Sequence, residues 1–567
     1  MAPLDAFQQR VVDQKWDSKV VVVAGPGTGK SYTAALRVAH IVSLFQSDEL
    51  HAESSVLCLT FTNAATGVTK ERLQEQGVNA GVEVKTIDKW CFQILSRAGL
   101  GVAFEAGDYD DSIKEVIDGL RKGDFLDLIQ VIEHIVIDES QDIYGVRLEL
   151  LELILEMKLI RGWTVLGDPA QTIYEYGEEN SSGSFLSRLI SENSFDEYFR
   201  LEIDHRSKND RIREVRVSGG GLRKEAPSDV EIDAVWRDYL DNPLLSVTEL
   251  MAAASAYNKS DQSVGVLVRT NREVLELSMR LSALGIEHRC ASRRSEFRIP
   301  SWVADLDQVK SKDEALASIP SFVDTAKFSI AIERWCHGGA VKQLSLERLS
   351  RDLLNRNIPE EFLRTDPHRL SLSTVHMAKG LEFDKVLVGL ERKVGERELE
   401  EARVLFVAVT RSQESLLRLA VAGLTKNSRL NRTKTRWVDI AFRGKANFAT
   451  SVEVKMSDFA FYRTSAQLKV GDEVEIRRVG NLENGLPRYA AFCVSDERPF
   501  AELKQDFCLD VSREWNKDLP MKLTGLRVST QSCIAVPRQI QGNWTEEFLA
   551  KVPVAVGMVH QERMEAQ

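Results

Sequence analysis

The sequence has no apolar run long enough to span a bilayer, which excludes a helical membrane protein. Its seven cysteines (58, 91, 290, 336, 493, 508 and 533) form no CxxC pair. That excludes a zinc ribbon or a disulfide framework and fits a reducing compartment. A basic excess is missing too, since net charge is −11 at pH 7. Nucleic-acid binding would have to rest on local patches, not on whole-chain attraction. Met1 to Arg10 shows no basic-then-apolar leader pattern, so a cytoplasmic location is expected. There is no short-period repeat. What is present is a globular composition, 43% hydrophobic and 28% charged over 567 residues, enough for three or four domains.

The strongest local signal is Ala24-Gly25-Pro26-Gly27-Thr28-Gly29-Lys30-Ser31. Before it, Lys19 to Val23 reads as a buried parallel strand, and after it Tyr32 to Phe45 repeats apolar residues at helical spacing. Strand, glycine loop and helix in that order form a phosphate cradle. Glycines let backbone N–H groups turn toward phosphate, and the helix N-terminus adds partial positive charge. Lys30 is placed for the β- and γ-phosphates and Ser31 for Mg²⁺. Ala24 stands where the first glycine of such loops is usual.

A second signal is Ile135-Val136-Ile137-Asp138-Glu139, a strand ending in adjacent carboxylates. In nucleotide hydrolases one such group holds Mg²⁺ and the next orients or deprotonates the attacking water. Val56 to Phe61 and Val82 to Thr86 read as further strands. The hydroxyls and amide of Thr62 and Asn63 suit phosphate or sugar contacts. Phe61 suits either base stacking or a core position. Trp163 to Asp168 is another strand and turn, with Gln171 after it to sense a γ-phosphate. Tyr174 and Tyr176 offer a stacking face or simple packing. Gln8 can read an adenine edge or lie on a solvated helix.

The second half repeats the α/β pattern at Val264 to Arg269, Leu370 to His376 and Lys385 to Val388, with a helix over Glu400 to Val409. Residues 300–368 read as mostly helical. Between Lys426 and Lys445 the basic residues outnumber Asp439 and read as a solvated loop or a phosphate-tracking patch. Beyond about 448 the pattern alternates as in antiparallel strands, with turns at Asn484-Gly485 and Val470-Gly471-Asp472.

Taken in order, LDAFQ, AGPGTGKS, LTFTNAA, KTID, VIDESQD, LGDPAQTIYEY, LEIDHRS, VLVRTN, STVHMAKGLEFD and EEARVLFVAVTRS resemble superfamily 1 helicases of the UvrD/Rep/PcrA type over residues 4–420. The resemblance implies two RecA-like P-loop domains with parallel sheets, at 1–195 and 196–445, and a β-rich C-terminal domain at 446–567. It implies a short 1B-like insert over 88–130 and a short helical insert over 300–368. It implies ATP and Mg²⁺, with Gln8 and His205 at the adenine, Glu382 near the ribose and Gly380 at the nucleotide. Asp138 and Ser31 are then the metal ligands and Glu139 the catalytic base. Gln171 couples γ-phosphate to DNA, and Arg206 and Arg411 are arginine fingers. Phe61, Thr62, Asn63, Thr86, Tyr176, Thr374 and His376 match nucleic-acid contacts.

The expected activity is ATP-dependent translocation on single-stranded DNA, or a tailed duplex, in the 3′-to-5′ direction. The alternative is an ATP-gated nucleic-acid sensor or clamp working with a partner nuclease, for example in anti-phage defence. Neither a membrane nor zinc is expected as a partner. Three departures stand out: Thr86-Ile87-Asp88 lacks a histidine, Tyr176-Gly177 lacks a tryptophan and an arginine, and Glu400-Glu401-Ala402-Arg403 has one arginine fewer. They spare the ATP residues and weaken the DNA grip.

Overall fold

Four consecutive β-branched residues, Val20 to Val23, leave the first strand no polar face, so Lys19–Ala24 (β1) is buried on both sides. In this computed structural model the residues described are 4–47, 55–60, 63–78, 81–100, 109–158, 160–173, 183–224, 226–291, 299–338, 342–354, 362, 369–392, 395, 398–425, 428–431, 436–443, 446–461, 468–469, 471–515, 519–528, 530–540, 543–554 and 557–561. Ser55–Thr60 (β2), Val82–Thr86 (β3), Ile132–Ile137 (β4), Gly162–Gly167 (β5) and Glu197–Leu201 (β6) join β1 in one parallel sheet, ordered β3-β2-β4-β5-β1-β6.

Strand periodicity sorts the core into two layers. Val21 packs with Leu57, Leu59, Ile135, Ile137 and Val165 on one face. Val20 and Val22 pack with Val56, Cys58, Val136 and Leu166 on the other, together with Ala34, Val38 and Ile41 of the helix Lys30–Ser47. Because the strands are parallel, the ends of β1, β4 and β5 lie along one edge. The phosphate loop, Asp138-Glu139 and Asp168 follow those strands directly.

By its internal contacts the chain divides into two units, Met1–Pro243 with Ala378–Arg418, and Leu244–Met377 with Leu419–Gln567. The first unit also pairs Phe383–Gly389 in parallel with Ser412–Ala420. The helix Glu398–Val409 between them is buried along Glu401 to Val409. In the second unit Leu370–Thr374 lies parallel to Val264–Val268 on one side and Arg289–Ala291 on the other. The C-terminal residues of this unit contribute to an antiparallel sheet of nine strands. The fold class is thus two parallel-sheet α/β domains with a β-rich C-terminal region, as the sequence patterns predict.

Three local expectations change. The tail contains a helix, Gln505–Trp515, whose Phe507, Cys508, Val511 and Trp515 enter the core of the nine-stranded sheet. Their spacing is helical, a pattern that the search for alternation passes over. The insert is not purely helical, because Cys336–His337 pairs with Gln343–Leu344 and Ile299–Pro300 pairs with the strand Thr530–Ile540. In the basic stretch, Arg436 is neither solvated nor phosphate-tracking. Burial would lower its guanidinium, but Asp458 and Asp510 outweigh that and raise it. Lys426, Arg432, Lys434 and Lys445 lie outside the described residues.

His134 on β4 is fully buried, with Nδ1 at 2.5 Å from the Trp16 carbonyl and Nε2 at 3.0 Å from the Thr164 hydroxyl. Burial, with Arg37 nearby, pushes it from 6.5 down to about 3. The unfolded chain therefore binds a proton between those values that the folded chain refuses. This group's share of stability is complete above about pH 6.5 and is lost as pH falls toward 3. Urea denaturation across that window is expected to show stability falling with pH, and His134→Gln is expected to flatten the profile. An unchanged slope in the variant would count against the assignment.

Candidate nucleotide site

The loop after β1 takes its shape from two glycines. Gly27 (φ +83°) and Gly29 (φ +75°) occupy the left-handed region, which costs a residue with a Cβ about 1–2 kcal/mol. The Thr28 hydroxyl donates to the Gly25 carbonyl at 2.8 Å and closes the turn. The helix Lys30–Ser47 then begins, with the Thr33 N–H donating to the Gly29 carbonyl at 2.8 Å. Ala24 is the last residue of β1 and fully buried, so its methyl belongs to the core.

Lys30 reaches across to the end of β4. Its Nζ donates to Asp138 Oδ1 and, at 2.6 Å, to Glu139 Oε1. Burial would lower the Lys30 ammonium, but the two carboxylates outweigh it and raise it. The Ser31 hydroxyl donates to Asp138 Oδ2 at 3.2 Å, placing two hard oxygen donors side by side as Mg²⁺ requires. Glu139 has φ +57° and ψ +38°. This backbone is costly for a non-glycine residue and is a known mark of functional positions. Burial would raise its carboxyl, yet Lys30 and Lys379 hold it well below the usual range.

Gln141 donates to Glu139 Oε2 at 2.5 Å and accepts from the Asp168 N–H at 3.1 Å. Asp168 in turn accepts from the Gln171 amide at 2.9 Å and from Arg223 Nε at 2.8 Å. Gln171 Oε1 accepts from Arg411 Nη2 at 3.1 Å, and its carbonyl accepts from Lys379 at 2.8 Å. Burial, with Arg206 close by, pushes the Arg411 guanidinium down to about 10. Arg206 is ion-paired to Glu382. Lys30, Ser31, Asp138, Glu139, Gln171, Arg206, Gly380, Glu382 and Arg411 line a single cleft with Arg72, Leu381 and the loop glycines. Every one of these residues belongs to the first unit.

At the edge of the cleft, Asp5 caps the helix Ala6–Val12 and accepts from His205 Nε2 at 2.9 Å. Gln8 completes the capping box, and its Nε2 donates to the Thr28 carbonyl at 3.0 Å. The amide expected at the adenine thus also ties this helix to the loop. The Thr86 hydroxyl caps the helix Ile87–Arg97, accepting from the Lys89 N–H at 3.3 Å. Asn63 opens the helix Asn63–Glu75. Thr374 and His376 lie in the second unit, where the Thr374 hydroxyl accepts from the Met377 N–H at 3.3 Å. Phe61, Thr62, Tyr174 and Tyr176 lie outside the described residues.

Residues 4–106 match the UvrD/REP helicase N-terminal domain, and residues 321–421 match the UvrD-like helicase C-terminal domain. In these two segments the chain is similar to the UvrD-like helicases. The ATP-dependent DNA helicase SRS2 of Saccharomyces cerevisiae is 25% identical to this chain, over 27% of the chain and 22% of its own length. The chain therefore spans about a fifth of that relative's length. A crystal structure of the Pif1 helicase from Candida albicans aligns with TM-score 0.38 and 13% identity, over 74% of this chain and 94% of its own.

Several residues of this site carry no signal in the sequence motifs. Lys379 is buried, paired with Asp142 and 3.9 Å from Glu139 Oε2. Asp142 is pushed up to about 6 by burial, against the pull of Lys379 and with the charge of Glu139 adding to the rise. Lys379 sits between His376 and Gly380 in a segment already singled out, so proximity to the motif was its only signal. Arg72 and Arg223 stand outside every segment. No helix among the described residues is long and apolar enough to cross a membrane.

A Cβ at Gly27 would collide with Asp204 Oδ1 and lie 2.5 Å from Arg216 Nη1. Gly27→Ala is expected to lower the melting temperature and to weaken binding of N-methylanthraniloyl-ADP at least several-fold. Wild-type affinity in a fluorescence titration would show that the loop does not pack this tightly.

Proposed function

We propose that the chain is an ATP-hydrolysing DNA helicase that moves along single-stranded DNA in the 3′-to-5′ direction. The observation that carries the hydrolysis is the gathering of Lys30, Ser31, Asp138, Glu139, Gln171, Arg206 and Arg411 around one cleft. The matches of two segments to UvrD-like helicase domains support DNA as the substrate.

In this reading the loop N–H groups and Lys30 hold the β- and γ-phosphates, which replace the carboxylates now paired with the ammonium. Ser31 and Asp138 would hold Mg²⁺, which would supply charge to offset that of the phosphate oxygens. Glu139, kept ionised by its cationic neighbours, accepts the proton of the attacking water. Arg206 leaves Glu382 for the γ-phosphate, and Arg411 brings charge to the same group while holding Gln171. Arginines in that role contribute about 10³–10⁵ in rate in related hydrolases. Gln8 and His205 border the adenine, with Glu382 beside the ribose. The strand contacts are those the resemblance gives, Phe61, Thr62, Asn63, Thr86, Tyr176, Thr374 and His376. Gln171 is the link between them and the γ-phosphate. The sensor-and-nuclease alternative gains no support from the relatives.

ATPase assays with single-stranded DNA, duplex DNA and RNA test the proposal. Stimulation by single-stranded DNA is expected, with Lys30→Ala inactive and Glu139→Gln lowered by about 10²–10⁴ while still binding nucleotide. On tailed duplexes, displacement is expected with 3′ tails and not with 5′ tails. Full ATPase without DNA, or displacement from 5′ tails only, would overturn the substrate or the polarity respectively.

A further inference from the structure

Behind the phosphate loop lies a buried ion pair that no nucleotide contact explains. Arg216, on the helix Asp210–Ser218, directs Nη1 at both oxygens of Asp204, at 2.7 and 2.9 Å. Its Nη2 donates to the carbonyls of Thr410 and Ser412, at 3.2 and 3.1 Å. Those residues flank Arg411. Asp204 Oδ1 also accepts the backbone N–H of Arg206 at 2.8 Å and of Ser207 at 3.1 Å. One guanidinium therefore grips the backbone on both sides of Arg411 and, through Asp204, the backbone of Arg206. The loop is tied to the same joint: the His205 N–H donates to the Gly27 carbonyl at 2.9 Å, and Gly27 packs against Asp204 and Arg216.

We infer that Arg216 and Asp204 are positioning residues that set Arg206 and Arg411 in fixed register with each other and with the phosphate loop. The inference rests on the reading of those two arginines as the groups that meet the γ-phosphate. Stability alone does not account for the pair. Its side chains are 4% and 9% exposed, and apolar residues of similar volume often replace such buried pairs at no loss. Apolar residues could not hold three backbone segments at set distances. Lysine could not do so either, because it lacks the planar fork that meets a carboxylate on one side and two carbonyls on the other.

The test uses the full chain with Arg216→Met, Arg216→Lys and Asp204→Asn. In DNA-saturated ATPase assays, Arg216→Met is expected to lower kcat by about 10²-fold, the scale of an ångström's misplacement, with KM for ATP within about twofold. Arg216→Lys is expected to restore the melting temperature but not kcat. Arg216→Met combined with Arg411→Ala is expected to cost no more than Arg411→Ala alone. Should Arg216→Met fail to fold, Asp204→Asn keeps the shape and the accepted N–H bonds and is expected to lower kcat in the same way. Wild-type kcat in a folded variant, or losses that multiply in the double variant, would overturn the inference. Hydrogen exchange judges the joint without hydrolysis. Asp204→Asn is expected to speed exchange at 205–208 and 410–413 together, and unchanged protection in both segments would reject it. Wild-type protein without ATPase, but with coupled exchange, would instead reject the function proposed above and leave the joint standing.

Discussion

A buried ammonium sets the terms for the first unit. Lys30 has lost most of its water, so it must face charge of opposite sign at hydrogen-bond distance. Asp138 and Glu139 supply that charge from the end of β4, which lies one strand away across β5. The need for it fixes how the loop after β1 and the turn after β4 approach each other. Sheet order, strand length and the buried valines all serve to bring those two strand ends to one edge. Loss of either side leaves an uncompensated charge in the interior.

Around that contact the site is built by mutual restraint. Glu139 is held by Lys30 on one side and Gln141 on the other. Gln171 is held at its amide nitrogen by Asp168, at its amide oxygen by Arg411 and at its carbonyl by Lys379. Such a network is worth more than separate bonds, because each member limits the motion of the next. It also provides a physical route from the phosphates to Gln171 and Lys379.

The phosphate loop was legible in the sequence because its glycines answer a backbone demand that no other residue meets cheaply. The parallel strands were legible because β-branched runs have few other homes. The acidic turn could be read from its place at the end of such a strand. What could not be read are the pairings. Arg216 and Asp204 lie 12 positions apart, and Lys379 lies 237 positions from Asp142. Nothing local in either segment names its partner. The helix Gln505–Trp515 went unseen for a different reason, since its apolar positions sit inside a stretch dominated by alternation. Gln8 and Thr86 show a further limit: each side chain also closes a helix cap, a contact that the motifs do not announce.

The left-handed backbone at Glu139 carries a consequence for the residue that can stand there. A glycine there would relax the backbone, but it would also remove a carboxylate that faces the buried Lys30 ammonium. Backbone strain and charge compensation therefore pull this one position in opposite directions. Glutamate at 139 keeps the charge that Lys30 requires at the cost of a left-handed turn.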